Sequence, residues 1–221
     1  PVNILLASGS REIAAMQADA EAAVERAVAI AEAAPFGTVP AMDLPSRTAP
    51  AWTTRTFEKE RGVASVRRGL TEGFRAHDRL LLIGEDVESP YGGAFKCTAG
   101  LSAEFPGRVR NTPISELCIV GMGNGLALSG FVPVVEIMFG DFLTLATDQW
   151  INHAAKFQQM YGDGLRVPLI VRTPMGGKRG YAATHSQSLE KHYLGVPGTQ
   201  VLCLNHRVLP ADVYATLFAT A

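Results

Sequence analysis

Apolar side chains near the start of the chain recur with the period of a helix. Ile13, Met16, Val24 and Ile30 fall on one side of a 3.6-residue repeat within an Ala- and Glu-rich stretch. This spacing predicts an amphipathic helix over residues 11–34.

A proline-rich stretch follows that helix. Pro40, Pro45 and Pro50 interrupt any regular pattern and predict an extended connector up to about residue 54. We therefore expect two parts: a helical arm with its connector at residues 1–55, and a globular domain at residues 56–221.

In the second part, short apolar runs alternate with segments of helical period. Predicted strands cover residues 80–83, 132–137, 168–172 and 199–204, and predicted helices cover 57–77, 116–129, 142–160 and 210–220. This alternation favours an α/β fold with a mostly parallel sheet and helices on both faces. Ligands of such sheets bind beyond the carboxyl ends of the strands, which directs attention to the loops that follow them.

Composition excludes several function classes. A formal net charge of −1 without long runs of like charge gives no general attraction to nucleic acid or to an anionic membrane. No apolar stretch approaches the roughly 20 residues that cross a bilayer, and no basic targeting segment is visible. The three cysteines are widely spaced and favour neither a disulfide framework nor a zinc site, so a cytoplasmic location is expected.

Gly121, Gly123 and Gly125, with Glu136 further on, imitate a dinucleotide-binding fingerprint. Leu126 stands where the last glycine of that motif should be, and too few residues remain before the next strand for a normal crossover helix. A helix whose small residues pack closely against a neighbour explains the segment better. Nicotinamide binding stays open as a lesser alternative.

Two further polar sites occupy promising loops. Glu85 and Asp86 follow a predicted strand, where a carboxylate could act on a ligand, although surface acids are also common there. His185 lies in a glycine-rich loop after another strand, a place suited to proton transfer, although a lone loop histidine is more often only solvated. The chain has no nucleophile elbow, so hydrolase chemistry has no support.

Seven short motifs then occur in the order of one known family. They are Gly-Glu-Asp at 84–86, Gly-Ala-Phe-Lys at 93–96, Thr-Pro-Ile-Ser-Glu at 112–116, Pro-Val-Val-Glu at 133–136, Met-Phe-Gly-Asp-Phe at 138–142, Ala-Ala-Lys at 154–156 and His-Ser-Gln at 185–187. From about residue 80 to 210 the chain resembles the beta subunit, the pyrimidine-binding half, of the first component of the 2-oxo acid dehydrogenases. More loosely, residues 23–36 resemble the closing helix of the alpha subunit, which suggests a fused alpha-beta polypeptide.

The resemblance implies a thiamine diphosphate site. Glu116 takes the position of the glutamate that hydrogen-bonds the aminopyrimidine ring and activates the cofactor, since an enclosed carboxylate can share a proton with a weakly basic nitrogen. Phe142 matches the aromatic residue that packs on the pyrimidine, and Glu85 matches an acid near the cofactor. His185 matches a catalytic histidine that handles protons around the substrate.

The resemblance also implies partners. We expect the diphosphate and Mg²⁺ to be held by a separate alpha-type domain and the substrate to be a 2-oxo acid or an acetoin-like compound. The acyl group is expected to pass to a lipoyl acyltransferase, in a homo- or hetero-oligomer.

The tripeptide Gly162, Asp163 and Gly164 resembles the start of the Mg²⁺ motif, but the asparagine that should follow is missing, so a turn is predicted. Lys178 and Arg179 depart from the family pattern. A non-catalytic assembly module stays open as the second hypothesis.

Overall fold

The computed structural model describes residues 10–35, 60–162 and 164–221. The chain divides into two units, Pro1–Ser46 and Arg47–Ala221. In the first unit, helix α1 spans Arg11–Ala33 and confirms the predicted amphipathic helix. The proline-rich connector, the boundary near residue 55, the first residues of the second predicted helix and Asp163 lie outside the described residues.

The second unit is built on a parallel sheet. Its helices are α2 (Gly62–Ala76), α3 (Leu101–Glu104), α4 (Glu116–Leu128), α5 (Phe157–Tyr161) and α6 (Pro210–Thr220). Its strands are β1 (Leu80–Gly84), β2 (Val109–Asn111), β3 (Val132–Glu136) and β4 (Ile170–Arg172), in the order β2-β1-β3-β4. All the pairings are parallel, which confirms the predicted α/β fold.

Side chains that alternate along the strands fill two cores, one on each face of the sheet. Leu82 and Val134 belong to the core under α2 and α6, whereas their neighbours Ile83 and Val135 belong to the core under α4. Successive residues of a strand point to opposite faces, so this division follows directly from the apolar runs in the sequence. Helices therefore cover both faces of the sheet.

Helices α2 and α6 approach each other closely at two glycines. A Cβ atom added at Gly73 would lie 2.2 Å from the ring of Phe218, and one at Gly69 would lie 2.7 Å from the Cα atom of Ala211. Only a residue without a side chain fits either position, so this contact depends on glycine.

The single helix predicted over residues 142–160 is wrong. The segment is a 3₁₀ helix at Phe142–Ala146, a π-helical turn at Gln149–Ala154 and then the short α5. Asn124 of α4 donates a hydrogen bond from Nδ2 to the backbone oxygen of Gln149 at 2.8 Å. This bond ties α4 to the start of the π-helical turn.

The strand predicted at residues 199–204 is also wrong, because the sheet ends at β4 and this segment pairs with no strand among the described residues. Thr199 instead accepts a hydrogen bond from Trp150 Nε1 at 2.9 Å, and Val201 packs on the core under α4. Conversely, β2 was not predicted, since only Val109 among its residues is buried and no apolar run marks it.

No helix in the described part of the chain is both long and apolar enough to span a membrane.

Candidate active site

The four candidate residues lie in the segments that follow the four strands. Glu85 comes directly after β1, Glu116 lies beyond β2, and Phe142 and His185 lie beyond β3 and β4. Because parallel strands end at one edge of a sheet, the fold places all four at the edge where ligands of such sheets bind.

Glu116 is the first residue of α4 and is only 7% exposed. A carboxylate at the start of a helix is favoured by the helix dipole, which is the ordinary explanation for an acid in this place. However, no side chain or backbone amide of the described residues donates a hydrogen bond to it. Its acceptor atoms are thus available to a ligand.

Glu85 is the second carboxylate of the site. Its Oε1 atom is buried without a hydrogen-bond partner among the described residues, as is Oγ1 of Thr112. Burial raises the pKa of Glu85, and the negative charges of Glu116 and Asp86 raise it further. A buried carboxyl oxygen without a partner can accept a hydrogen bond from a ligand.

An aromatic cluster surrounds His185. Its ring centroid lies 5.0 Å from that of Phe142 and 4.9 Å from that of Phe139, both in edge-to-face geometry. Thr184 Oγ1 lies 2.9 Å from His185 Nδ1, within hydrogen-bond distance. The structure thus brings two predicted residues, Phe142 and His185, into direct contact.

The loops after β3 and β4 are joined by a buried carboxylate. Asp141, 8% exposed, accepts hydrogen bonds from the backbone N–H and from Nε2 of Gln187. The backbone N–H of Gly140 donates to the oxygen of Pro174 at 2.9 Å, and a Cβ atom at Gly140 would lie 2.1 Å from Met175 Cγ. Sequence reasoning included Asp141 and Gln187 in its motifs but gave neither a role.

A buried polar network supports the same edge of the sheet. Arg172 at the end of β4 donates hydrogen bonds to Glu136 at the end of β3 and, at 3.1 Å, to the hydroxyl of Tyr214 on α6. Glu136 in turn accepts a hydrogen bond from the backbone N–H of Ala94 at 2.5 Å. Burial raises the pKa of Cys97, which touches this pair, to about 11, so its thiol stays protonated and unreactive at neutral pH.

The dinucleotide alternative is not supported. Gly121, Gly123 and Gly125 lie inside α4 instead of in a turn between a strand and a helix. A Cβ atom at Gly123 would lie 2.7 Å from Val135 and 2.8 Å from Leu169, so this glycine lets α4 approach the sheet. Within residues 10–35, 60–162 and 164–221, no group of His, Cys, Asp or Glu is arranged to hold a metal ion.

A protein-family model and several known proteins match more than half of this chain. The family model for the transketolase pyrimidine binding domain matches residues 64–217, a segment that contains all four candidate residues. The 3-methyl-2-oxobutanoate dehydrogenase subunit beta of Mycobacterium tuberculosis is 38% identical over 153 residues, which cover 69% of this chain and 43% of that protein.

Two more relatives carry different names. The pyruvate dehydrogenase E1 component subunit beta of Leifsonia xyli is 35% identical over 153 residues, covering 69% of this chain and 44% of that protein. The acetoin:2,6-dichlorophenolindophenol oxidoreductase subunit beta of Bacillus subtilis is 36% identical over 163 residues, covering 68% of this chain and 46% of that protein. The chain therefore spans less than half the length of these relatives.

Proposed function

Because the chain belongs to the family of transketolase pyrimidine-binding domains, we propose that it forms the pyrimidine half of a thiamine diphosphate site in a 2-oxo acid dehydrogenase. The observation that carries this proposal is the pair Glu85 and Glu116, whose acceptor atoms lie at the ligand-binding edge of the sheet without donors from the described residues. Relatives named as beta subunits of such dehydrogenases support it.

The chemistry of these residues fits an aminopyrimidine. Such a ring has a weakly basic nitrogen and an amino group, and both need hydrogen-bond partners when they are enclosed. Glu116 would hydrogen-bond the ring nitrogen, and Glu85, whose pKa is raised chiefly by burial and further by the charges of Glu116 and Asp86, would be a second hydrogen-bonding neighbour of the ring. Phe142 would pack against the ring, an aromatic contact worth about 1 kcal/mol beyond burial. When bound, thiamine diphosphate supplies the electron sink for loss of carbon dioxide.

His185 handles the proton of the reacting substrate in this proposal. Its edge-to-face contacts with Phe139 and Phe142 fix the plane of the imidazole and keep water away from two of its sides. An imidazole ring carries two nitrogens, one able to donate and the other to accept a proton, which suits a reaction that needs each in turn.

The proposal extends to partners and location. A separate alpha-type domain holds the diphosphate and Mg²⁺, a lipoyl acyltransferase accepts the acyl group, and the domains meet in a homo- or hetero-oligomer in the cytoplasm. The support comes from the relatives, whose names describe beta subunits. We also propose that residues 1–55 form a separate arm and connector before the pyrimidine-binding domain at 56–221.

Replacing Glu116 in the complete enzyme tests the proposal. Glu116→Gln keeps the shape of the side chain but removes its acid-base function, so we expect decarboxylation of 2-oxo acids with an artificial electron acceptor to fall by roughly 10²- to 10⁴-fold. Glu72→Gln, which neutralises an exposed carboxylate on α2, is the matched control and should retain activity. Activity of Glu116→Gln within a few-fold of wild type contradicts the catalytic role. No turnover of any 2-oxo acid by the wild type identifies an assembly module instead.

A further inference from the structure

A pocket with aromatic walls lies beside the candidate active site. It has a volume of about 290 Å³ and is lined mainly by Tyr91, Phe95, Lys96, Met138, Phe139 and Tyr181. This volume is at the small end of the range for small-molecule sites, which is roughly 300 to 1,000 Å³. The pocket therefore has room for a small organic acid.

Phe139 is a shared wall between this pocket and the active site. Its ring lies 5.6 Å from that of Tyr181 on the pocket side and 4.9 Å from that of His185 on the other. A small molecule in the pocket is thus separated from His185 by one aromatic side chain.

Two cations lie against aromatic side chains of the pocket wall: Lys96, which lines the pocket, and Arg179, which packs on the lining residue Phe95. The guanidinium carbon of Arg179 lies 4.4 Å from the ring centroid of Phe95, and Nζ of Lys96 lies 5.7 Å from that of Tyr91. Lys96 also donates a hydrogen bond to the backbone oxygen of Tyr91 at 3.1 Å. Contacts of this kind fix a cation without neutralising its charge.

Neither cation is neutralised by an acid nearby. Within the part of the chain that the structure describes, no carboxylate oxygen lies within 4.0 Å of Lys96 or Arg179. Phe95 and Lys96 also have left-handed backbone angles, with φ of 56° and 63°. Non-glycine residues rarely keep such a conformation, and those that do cluster at functional sites.

We propose that this pocket receives the substrate as an anion. Resting on the proposed function, the inference adds a separate entry site for the 2-oxo acid, which favours an anion over a neutral compound such as acetoin. The apolar group lies against Phe139 and Tyr181, and the carboxylate faces Arg179 and Lys96 before the molecule moves to His185. Cations at the rim raise the local concentration of an anion without stabilising the carboxylate where it must be lost.

Binding to this chain tests the inference without any need for turnover. Ligand-observed nuclear magnetic resonance compares 3-methyl-2-oxobutanoate with 3-methyl-2-butanone, in which a methyl group replaces the carboxylate. We expect the acid to bind more tightly, with an affinity that falls as salt is added. The double variant Lys96→Met/Arg179→Met keeps the apolar stems and should weaken binding of the acid by about tenfold. Arg67→Met, which removes an exposed cation from α2, should leave it unchanged.

The outcomes separate the two proposals. Equal binding of acid and ketone, or no effect of the double variant, overturns the anion pocket whatever the enzyme does. Binding as expected with no turnover in the complete enzyme overturns the proposed function alone. In the complete enzyme with a dye as electron acceptor, the double variant should raise KM for the acid about tenfold and lower kcat far less. A change that occurs only when a lipoyl protein replaces the dye identifies a docking surface for that protein, which also overturns the substrate pocket.

Discussion

Asp141 accepts two hydrogen bonds from one residue, Gln187: from Nε2 at 2.8 Å and from the backbone N–H at 3.3 Å. Asp141 immediately precedes Phe142, and Gln187 lies two residues after His185. A single buried carboxylate therefore holds together the two loops that carry the aromatic ring and the imidazole.

Removing this carboxylate should loosen the His185 loop. Asp141→Ala leaves Gln187 without its acceptor, and we expect a loss of roughly 1–3 kcal/mol in the free energy of unfolding. Amide hydrogen exchange of residues 183–187 should become faster than in the wild type. Asp148→Ala, which removes an exposed carboxylate hydrogen-bonded to Asn152, is the control and should leave that exchange rate unchanged. Unchanged exchange in Asp141→Ala would show that other contacts fix the loop.

Removing one partner of the buried ion pair should be costly. Arg172→Met leaves Glu136, which is 1% exposed, without its cation, so we expect the free energy of unfolding to fall by about 3–5 kcal/mol in urea titrations. Arg68→Met breaks partly exposed ion pairs and should cost less than about 1 kcal/mol. The double variant Glu136→Gln/Arg172→Met should recover part of the loss. A loss below 1 kcal/mol in Arg172→Met contradicts the assigned role of the pair.

Glycine substitutions should have opposite effects at two helix positions. At Gly73→Ala, the added Cβ atom meets the ring of Phe218 at 2.2 Å, and relief of this clash should cost roughly 1–3 kcal/mol of stability. At Gly125→Ala, the added Cβ atom meets nothing within 4 Å, so the better helix former should stabilise the chain by about 0.5–1 kcal/mol. Thermal denaturation of both variants measures the difference, and equal effects would rule out the close approach of α2 and α6.

The stability of the chain should depend on pH through Glu85. Its pKa is raised by burial, so the folded state binds its proton more tightly than the unfolded state does. Stability contributed by this group is greatest at low pH and falls as pH rises from the ordinary pKa of glutamate through the raised value. Glu85→Gln should therefore be more stable than the wild type at neutral pH and lose this advantage at acid pH. Urea titrations across that range measure it, and an advantage independent of pH contradicts the burial of the carboxyl group.

The sheet and most helices could be predicted because local pattern decides them. The apolar runs at β1 and β3 and the repeat in α6 are visible in the sequence alone. The division of this segment into 3₁₀, π-helical and α-helical pieces was not visible, because apolar residues at helical spacing do not distinguish these types of helix. Nor did β-branched Thr199 and Val201 form a strand, since they pack against Trp150 and the core instead.

The roles of the candidate site residues stay predictions, and the structure shows only where these residues lie. The sequence placed Glu85 and His185 after predicted strands, whereas Glu116 follows β2, a strand that was not predicted, and the structure brings the carboxyl ends of these strands to one edge of the sheet. The hydrogen bonds that fix this edge join residues far apart in sequence, such as Glu136 and Arg172. A pattern with a period of two or 3.6 residues carries no information on such pairs, so their roles appear only in three dimensions.

Helix α6 supports the anion pocket through the guanidinium group of Arg172, although no residue of α6 lines that pocket. Tyr214 holds one side of this group, and Glu136, on the other side, holds the backbone of Ala94 in the loop that walls the anion pocket. Truncation before Pro210, or a protease that clips the final helix, would therefore deform a pocket on the far side of the guanidinium.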